Sequence, residues 1–438
     1  MKYQPHQREK KTLSLKGLLG VVRGVFVKIP RDVKRQTISI ADCLMSALSM
    51  FGMKAPSLLA FDGPKLEETV LHNLQSLYEV TNPPSDTHMR EVLDEVDPKA
   101  LRETFLSVFY EAQRGKLLER FTFIEGYLCL VDGTELFNSE KIHCKNCCKK
   151  EHQDGRVTYH HQMLGAVLAH PNCRQVIPLC PEPILKQDGT TKNDCERNAF
   201  HRFLIDLKRE HPRLALTICS DALSATAPHI NELKSLGYNF IIVAKPDGNR
   251  TLYEWVKNIT REMKVTIGKD KYVFRYVNNV PLNDTKTAPN VNFFECEWTE
   301  IKGRQVKTGH CGWVTGHVIT DKNLYELMRG GRARWKIENE TFNTLKNQGY
   351  QFEHNFGHGK QNLHTVFAFL MMLAFLIDQI QEATCGLFQK AMEHRKTRRA
   401  FWEKMKALFY NYFIESWEDL FKAMGPGFKG AKLIIEPG

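Results

Sequence analysis

Arg332-Ala-Arg-Trp-Lys-Ile-Glu-Asn-Glu-Thr-Phe-Asn-Thr-Leu-Lys346 reads as a helix that carries one misplaced acid. Wound at about 100° per residue, Trp335, Phe342 and Leu345 share an apolar stripe, and Glu338 falls in the middle of it. Glu340 points to the far side. A carboxylate in a core-facing stripe is costly unless a metal or a cation neutralises it, so the stretch predicts acidic or cationic partners elsewhere in the chain.

Two partners lie upstream. Tyr127-Leu-Cys-Leu-Val131 is a short buried-strand pattern that ends on Asp132-Gly133-Thr134, and Leu214-Ala-Leu-Thr-Ile-Cys219 ends at Ser220-Asp221-Ala222. Each acid is expected where its strand stops. Two strand-end carboxylates brought against one on a helix make a hard oxygen cage that suits Mg²⁺ or Mn²⁺. Two such ions can activate a water and stabilise the departing oxygen of a phosphodiester. Asp132, Asp221 and Glu338 are therefore the candidate catalytic and metal-binding residues.

Asp132 in Val-Asp-Gly-Thr, Asp221 followed by Ala-Leu and then by Phe240-Ile-Ile-Val-Ala-Lys-Pro246, and Arg334-Trp-Lys-Ile-Glu338 together resemble a known signature. It is the DDE signature of bacterial insertion-sequence transposases with an RNase H-like core, and the likeness spans roughly residues 120 to 380. The most similar branch places its third acid in a Tyr-x2-Arg-x3-Glu-x6-Lys motif, which Arg334 and Glu338 fit. Gly331 stands where that motif has Tyr and Leu345 where it has Lys, with Lys346 one place late. The resemblance implies an α/β fold: an RNase H-like core with a mixed five-stranded sheet, an inserted β-rich subdomain, and helical N- and C-terminal regions. It also implies a reaction, the cleavage and joining of DNA strands at the inverted-repeat ends of a mobile element, with two Mg²⁺ or Mn²⁺ ions. Transposon ends and target DNA are then the partners, a homodimer the active complex, and the bacterial cytoplasm, at the nucleoid, the location. Arg334 and Lys346 are candidates for holding phosphate or the flanking strand.

The chain has 438 residues, 42% hydrophobic and 25% charged, enough for two or three packed units and too apolar for a disordered protein. Its net charge of +11 is concentrated, because residues 1–38 hold ten Lys and Arg against two acids. A basic arm of this kind favours a polyanion, though charge runs are often only solvated. The longest apolar run, Val366 to Ile377, has twelve residues before Asp378, which is short of a membrane span and reads as a buried helix. The first residues lack a signal-peptide layout, since the Gly17-Leu-Leu-Gly-Val-Val22 run is broken by Arg23. Twelve Cys, some inside apolar strands, fit reduced thiols in a cytosolic protein.

Six segments follow from this pattern. Residues 1–38 form the basic arm, and 39–118 a helical domain for DNA-end binding or dimerisation. Residues 119–250 hold the first part of the core, 251–320 the β-rich insertion, 321–380 the rest of the core with the acid-bearing helix, and 381–438 a helical C-terminal region. Within the core the expected order is strand, strand, strand, helix, strand, helix, strand, which resembles the RNase H-like order, and that resemblance implies that the first and fourth strands lie side by side. That brings Asp132 and Asp221 together across 88 intervening residues. In the insertion, Tyr272 to Val277 and Phe294 to Trp298 alternate in polarity, with a turn at Lys302-Gly303-Arg304. Trp298, or Trp313 in the next strand, can stack on a flipped base, a contact of about 1–3 kcal/mol, or fill a sheet core. His354-Asn-Phe-Gly-His-Gly-Lys360 offers His354, His358 and Lys360 to phosphate oxygens, or is a plain loop.

Behind Asp132 lies His143-Cys144-Lys-Asn-Cys147-Cys148, followed by His152 and by His160-His161. Cys144, Cys147, His161 and one of His152 or Cys173 can close a structural Zn²⁺ site, and reduced thiols beside a hydrogen-bonded histidine are the alternative. Asn193-Asp-Cys-Glu196 reads as a capping box, which makes Glu196 a helix-start residue and not a metal ligand. Two other functions stay open on the sequence: a catalytically silent, transposase-derived DNA-binding protein, and a zinc hydrolase or deaminase built on the Cys/His cluster.

Overall fold

The computed structural model describes residues 11–30, 38–186, 195–426 and 433–434. Along the described N-terminal part, serines start the first two long helices by accepting backbone N–H groups that lack an intrahelical partner. Ser14 caps α1 (Leu15–Phe26) through the N–H of Gly17 at 3.2 Å, and Ser39 caps α2 (Ile40–Gly52) through that of Asp42 at 3.0 Å. After a short helical turn at Leu58–Asp62 come three longer helices, α3 (Glu68–Tyr78), α4 (Asp86–Asp94) and α5 (Arg102–Arg114). The expectation of a basic arm over 1–38 is corrected at α1. Leu18, Leu19, Val22 and Phe26, spaced along one face, are fully buried, so this stretch is part of the core. The basic residues of 1–10 and 31–37 lie outside the described residues.

Among the described residues the central sheet has 12 strands. It is built from β1 (Gly126–Ser139), β2 (Cys148–Glu151), β3 (Val157–Ala169), β4 (Leu216–Ser220), β5 (Asn239–Ala244), β6 (Arg261–Ile267), β7 (Asp270–Pro281), β8 (Asn290–Lys302) and β9 (Gln305–Thr315), with three short strands at its margins. Their spatial order is β2-β3-β1-β4-β5-β9-β8-β7-β6. β1 pairs antiparallel with β3 and parallel with β4, and β4 pairs parallel with β5. Helices α6 (Glu196–Glu210) and α7 (Ala227–Ser235) make the crossovers that parallel pairing requires. The two helices and the strands expected near Tyr127–Val131, Val157–Leu168, Leu214–Cys219 and Phe240–Val243 are present, with the first of these beside the strand at Leu216–Ser220. The strand expected at Gln175–Leu179 shrinks to Ile177–Pro178, and Cys148–Glu151 and Glu182–Ile184 are strands that were not expected.

Two further expectations change here. β1 does not stop at Asp132 but runs on to Ser139 along β3, and only its parallel pairing with β4 ends, at Leu130 beside Cys219. The β-rich insertion is also not a separate sheet. β9 pairs antiparallel with β5, Val314 beside Ile242, so the strands of the insertion extend the core sheet.

After the sheet come α8 (Leu324–Arg332), a π-helical turn (Ile337–Phe342) and α9 (Asn343–Asn347), where a single straight helix was expected. In the π turn the N–H of Asn343 donates to the carbonyl of Glu338, five residues back. The extra residue per turn shifts the stripe: Trp335 is 57% exposed, while Ile337 and Leu345 are fully buried.

Helix α10 (Leu363–Thr384) is the one described helix long and apolar enough to cross a membrane, and the whole of its apolar stretch is buried inside the protein. It packs against α2 and α4. Asp378 in its middle is satisfied by Lys54 Nζ and the hydroxyl of Tyr350, both at 2.6 Å. The last helices, α11 (Gly386–Arg395), α12 (Arg398–Asn411) and α13 (Trp417–Met424), fold back on the N-terminal ones. The Asn73 amide donates to the carbonyls of Phe409 and Tyr412, and the Trp417 indole to that of Leu77. The two helical regions, read as separate, share one core.

Candidate active site

Because Leu130 and Cys219 sit side by side on parallel strands, Asp132 and Asp221, each two residues further on, come together where that parallel pairing ends. Asp132 Oδ1 accepts the N–H of Gly133 at 3.0 Å, and Asp221 opens a 3₁₀ turn by accepting the N–H of Leu223 at 3.0 Å. Glu338 comes from the π turn, which is seated on β3 by Phe342. Its ring lies against Gly165, the register partner of Asp132, where a Cβ would come within 2.8 Å.

Arg334 joins the acids. Its Nη1 is 2.9 Å from Asp132 Oδ2 and 2.9 Å from Glu338 Oε1, and its side chain is only 12% exposed. The guanidinium expected to hold phosphate is thus the counter-ion of two of the three acids. Burial raises the Asp132 carboxyl to about 6, with Arg334 opposing and Glu338 and Asp221 adding to the rise. Glu340 is turned away to Arg174, 3.6 Å distant, as the wheel predicted for that side chain.

A fourth acid stands here that the sequence reading had assigned to a cap. Helix α6 starts at Glu196 with Cys195 as N-cap and no side-chain cap bond, while Asn193 and Asp194 lie outside the described residues. Glu196 leans over Gly133, where a Cβ would stand 2.5 Å from its Oε2, so the missing side chain at 133 admits the carboxylate. Burial first, then Asp132 and Asp221, push it up to about 7. An acid whose native pKa is raised binds more protons folded than unfolded, so its contribution falls as pH rises from about 4.5 to about 7. Glu196→Gln should therefore stabilise the protein by about 1–2 kcal/mol at pH 7.5, allowing for solvent that still reaches the group, and by nothing at pH 4. Urea unfolding at the two pH values checks this, and equal midpoints for both proteins at pH 7.5 would contradict it.

The motif departure at Gly331 has a steric cause. A Cβ there would overlap the indole of Trp313, which is 1% exposed and stacked on Phe294 at 5.1 Å. Trp313 fills the space in which a Tyr at 331 would sit, so it is a core residue with no face for a base. Gly331→Ala should cost about 1–3 kcal/mol by overpacking, most of it recovered in Gly331→Ala with Trp313→Phe. Thermal unfolding of the three variants decides it, and a neutral single variant would sink the explanation.

The other proposed nucleic-acid contacts are dispersed. The ring of Trp298 is half-buried under the Arg332 guanidinium, 4.6 Å from its centroid, and Arg332 itself pairs with Glu300. Lys346 Nζ is 2.8 Å from Glu353. Lys360 is exposed, and its backbone N–H, with those of Gln361, Asn362 and Leu363, is held by the Asp94 carboxylate at 2.9–3.0 Å. These four bonds hold the Asp94 carboxyl below its usual range against the opposing effect of its burial. His358 is not a phosphate ligand candidate, because it is 8% exposed and faces the cysteines.

Cys144, Cys147, His161 and His358 converge, their ligand atoms all within 4.8 Å of one another. Cys144 Sγ is 3.9 Å from Cys147 Sγ and 3.3 Å from His161 Nε2, and Cys147 Sγ is 3.2 Å from His358 Nε2. Hydrogen bonding from Cys147 above all, and from both histidines, pulls the Cys144 thiol far down, and the same bond pushes Cys147 up. The fourth member is thus neither expected residue. His152 bonds to the Thr158 hydroxyl at 2.9 Å, and the Cys173 thiol to the carbonyl of Arg120 at 3.3 Å. No spacing in the sequence could have announced His358, 211 residues beyond Cys147. The signal for Glu196 was Gly133 beside a catalytic candidate, a position where a close approach is the reason for glycine.

No family model matches the chain, and no curated protein sequence matches it.

Proposed function

We propose that the chain is a DDE-type transposase that cleaves and joins DNA strands at the ends of a mobile element. The observation that carries this reading is the pairing of Asp132 and Asp221 at adjacent parallel strands, with Glu338 tied to Asp132 through Arg334. The strand order β3-β1-β4-β5, with β1 antiparallel to β3 and parallel to β4, supports an RNase H-like core. The charge of +11 supports a polyanionic partner.

On this reading the acids would serve a divalent cation. Arg334 pairs with Asp132 and Glu338, and burial first, then the neighbouring acids, raises Asp132 to about 6 and Glu196 to about 7, a cost that a bound cation would relieve. Asp132, Asp221 and Glu338 would hold Mg²⁺ or Mn²⁺, with Glu196 beside them, all oxygen donors of the kind these ions take. A bound ion would supply Lewis acidity toward a phosphodiester and a more acidic water. Asp132 and Glu196 would give up their protons on binding. Arg334 neutralises two of the acids beforehand and remains beside them as the cation available to a phosphate oxygen.

The test uses linear DNA carrying the sequences that flank the protein's own gene, incubated with Mg²⁺ or Mn²⁺. Strand breaks at the element ends, leaving 3′-OH termini and dependent on the cation, are the expected result. Binding without cleavage under any divalent ion would favour the catalytically silent reading. The zinc-enzyme reading is disfavoured by the Cys/His cluster itself, whose four protein groups would fill a tetrahedral shell and leave no position for substrate.

A further inference from the structure

We infer that Cys144, Cys147, His161 and His358 bind one Zn²⁺ as a structural crosslink between the strand that carries Asp132 and the segment that follows Glu338. Tetrahedral zinc, with bonds of about 2.3 Å to sulfur and 2.0–2.1 Å to nitrogen, sets the two sulfurs about 3.8 Å apart and each sulfur about 3.5 Å from a nitrogen. The observed separations are 3.9 Å between sulfurs and 3.3 and 3.2 Å between sulfur and nitrogen. Four soft or borderline ligands with no carboxylate among them select zinc over Mg²⁺ or Ca²⁺. The turn itself has the form that favours thiolates, since the Cys144 N–H points to Cys147 Sγ at 3.4 Å. Cys147, His161 and His358 are buried, and only Cys144 is partly exposed, which suits a permanent ion better than an exchanging one.

The ligands come from three places in the fold. Cys144 and Cys147 lie in the loop between β1 and β2, His161 in β3 beside Phe137 of β1, and His358 in the loop that leads from α9 to α10. Hydrogen bonds already align the two loops: Asn146 Nδ2 donates to the carbonyl of Gln361 at 2.6 Å and Lys145 Nζ to its side chain at 2.9 Å. An ion there would fix the far end of the Asp132 strand to the chain that runs on from the π turn. The crosslink is independent of what the acid site does.

A redox pair is the other chemistry that a Cys-x2-Cys turn can carry, and the two histidines facing the thiols weigh against it. Elemental analysis of protein purified without chelator should find one zinc per chain, and Co²⁺ exchanged for it should show thiolate-to-metal charge-transfer absorption. His358→Ala should lose the zinc, whereas His152→Ala and Cys173→Ser should keep it. Because His358→Ala can misfold, the wild-type protein gives a second reading. Iodoacetamide should spare Cys144 and Cys147 in the zinc-loaded protein and modify Cys144 once a chelator has removed the ion. A Cys144–Cys147 disulfide, folded protein that takes up no zinc, or full zinc occupancy in His358→Ala would overturn the inference.

Discussion

Glu338→Gln, Asp132→Asn and Asp221→Asn should each lower DNA strand cleavage by a factor on the order of 10³ or more while leaving DNA binding nearly intact. Each substitution keeps the size of the side chain and removes a negative oxygen that the proposed cations require. Glu340→Gln, whose carboxylate turns to Arg174 instead, is the control and should retain activity. The three acids differ in what else they do. Asp132 and Glu338 share Arg334 at 2.9 Å each, so losing either leaves that largely buried guanidinium with one acidic partner. A modest loss of stability should accompany Glu338→Gln and be absent from Asp132→Asn, whose carboxyl burial raises to about 6 so that its charge is costly at neutral pH, and from Asp221→Asn, whose oxygen caps a turn. Gel-shift and nicking assays on the same DNA separate binding from chemistry, and near-normal nicking by any of the three would remove that residue from the site.

Deleting residues 1–35 should abolish folding, where a basic arm would merely have weakened DNA binding. The deletion removes α1, and with it the fully buried Leu18, Leu19, Val22 and Phe26. Truncating one such side chain costs about 2–5 kcal/mol, against a total stability of about 5–15 kcal/mol. Helix α1 also packs on α5 and on α2, so its loss opens the helical layer that α10 shares. Deletion of residues 1–10 alone removes three Lys and Arg and should flatten the salt dependence of DNA binding, since each neutralised phosphate adds about 0.9 to that slope. Soluble, cooperatively unfolding protein from the longer deletion would show that α1 is dispensable.

What was legible in the chain was local. Apolar runs of five or six residues bounded by Asp132 and Asp221 announced two buried strands, and only the resemblance to an RNase H-like topology made them neighbours. The Cys-x2-Cys turn with His161 announced three of four clustered ligands. What was not legible depended on the tertiary fold. A straight-helix wheel put Trp335 in the core, and the π turn at Ile337–Phe342 put Ile337 there instead. His358 looked like a loop histidine beside two glycines, because nothing within a dozen residues shows what a loop will be folded against. Glu196 satisfied a capping pattern on paper, but the space above Gly133 in a neighbouring strand claimed its carboxylate. The charge of residues 1–38 masked an apolar helical stripe among the lysines and arginines, which a count of charges cannot see.

The central claim is that the Asp132, Asp221, Glu338 and Glu196 carboxylates make a cation site, and calorimetric titration with Mn²⁺ near pH 6.5 measures it most directly. Run in two buffers of different ionisation enthalpy, it reports both binding and protons released. The expected result is saturable binding with net proton release, because Asp132 and Glu196 hold protons near that pH until a cation arrives. Asp132→Asn and Glu338→Gln should lose most of that binding, and Glu196→Gln should keep binding but release fewer protons. Absence of saturable Mn²⁺ binding, or binding undiminished in Asp132→Asn and Glu338→Gln, would contradict the account.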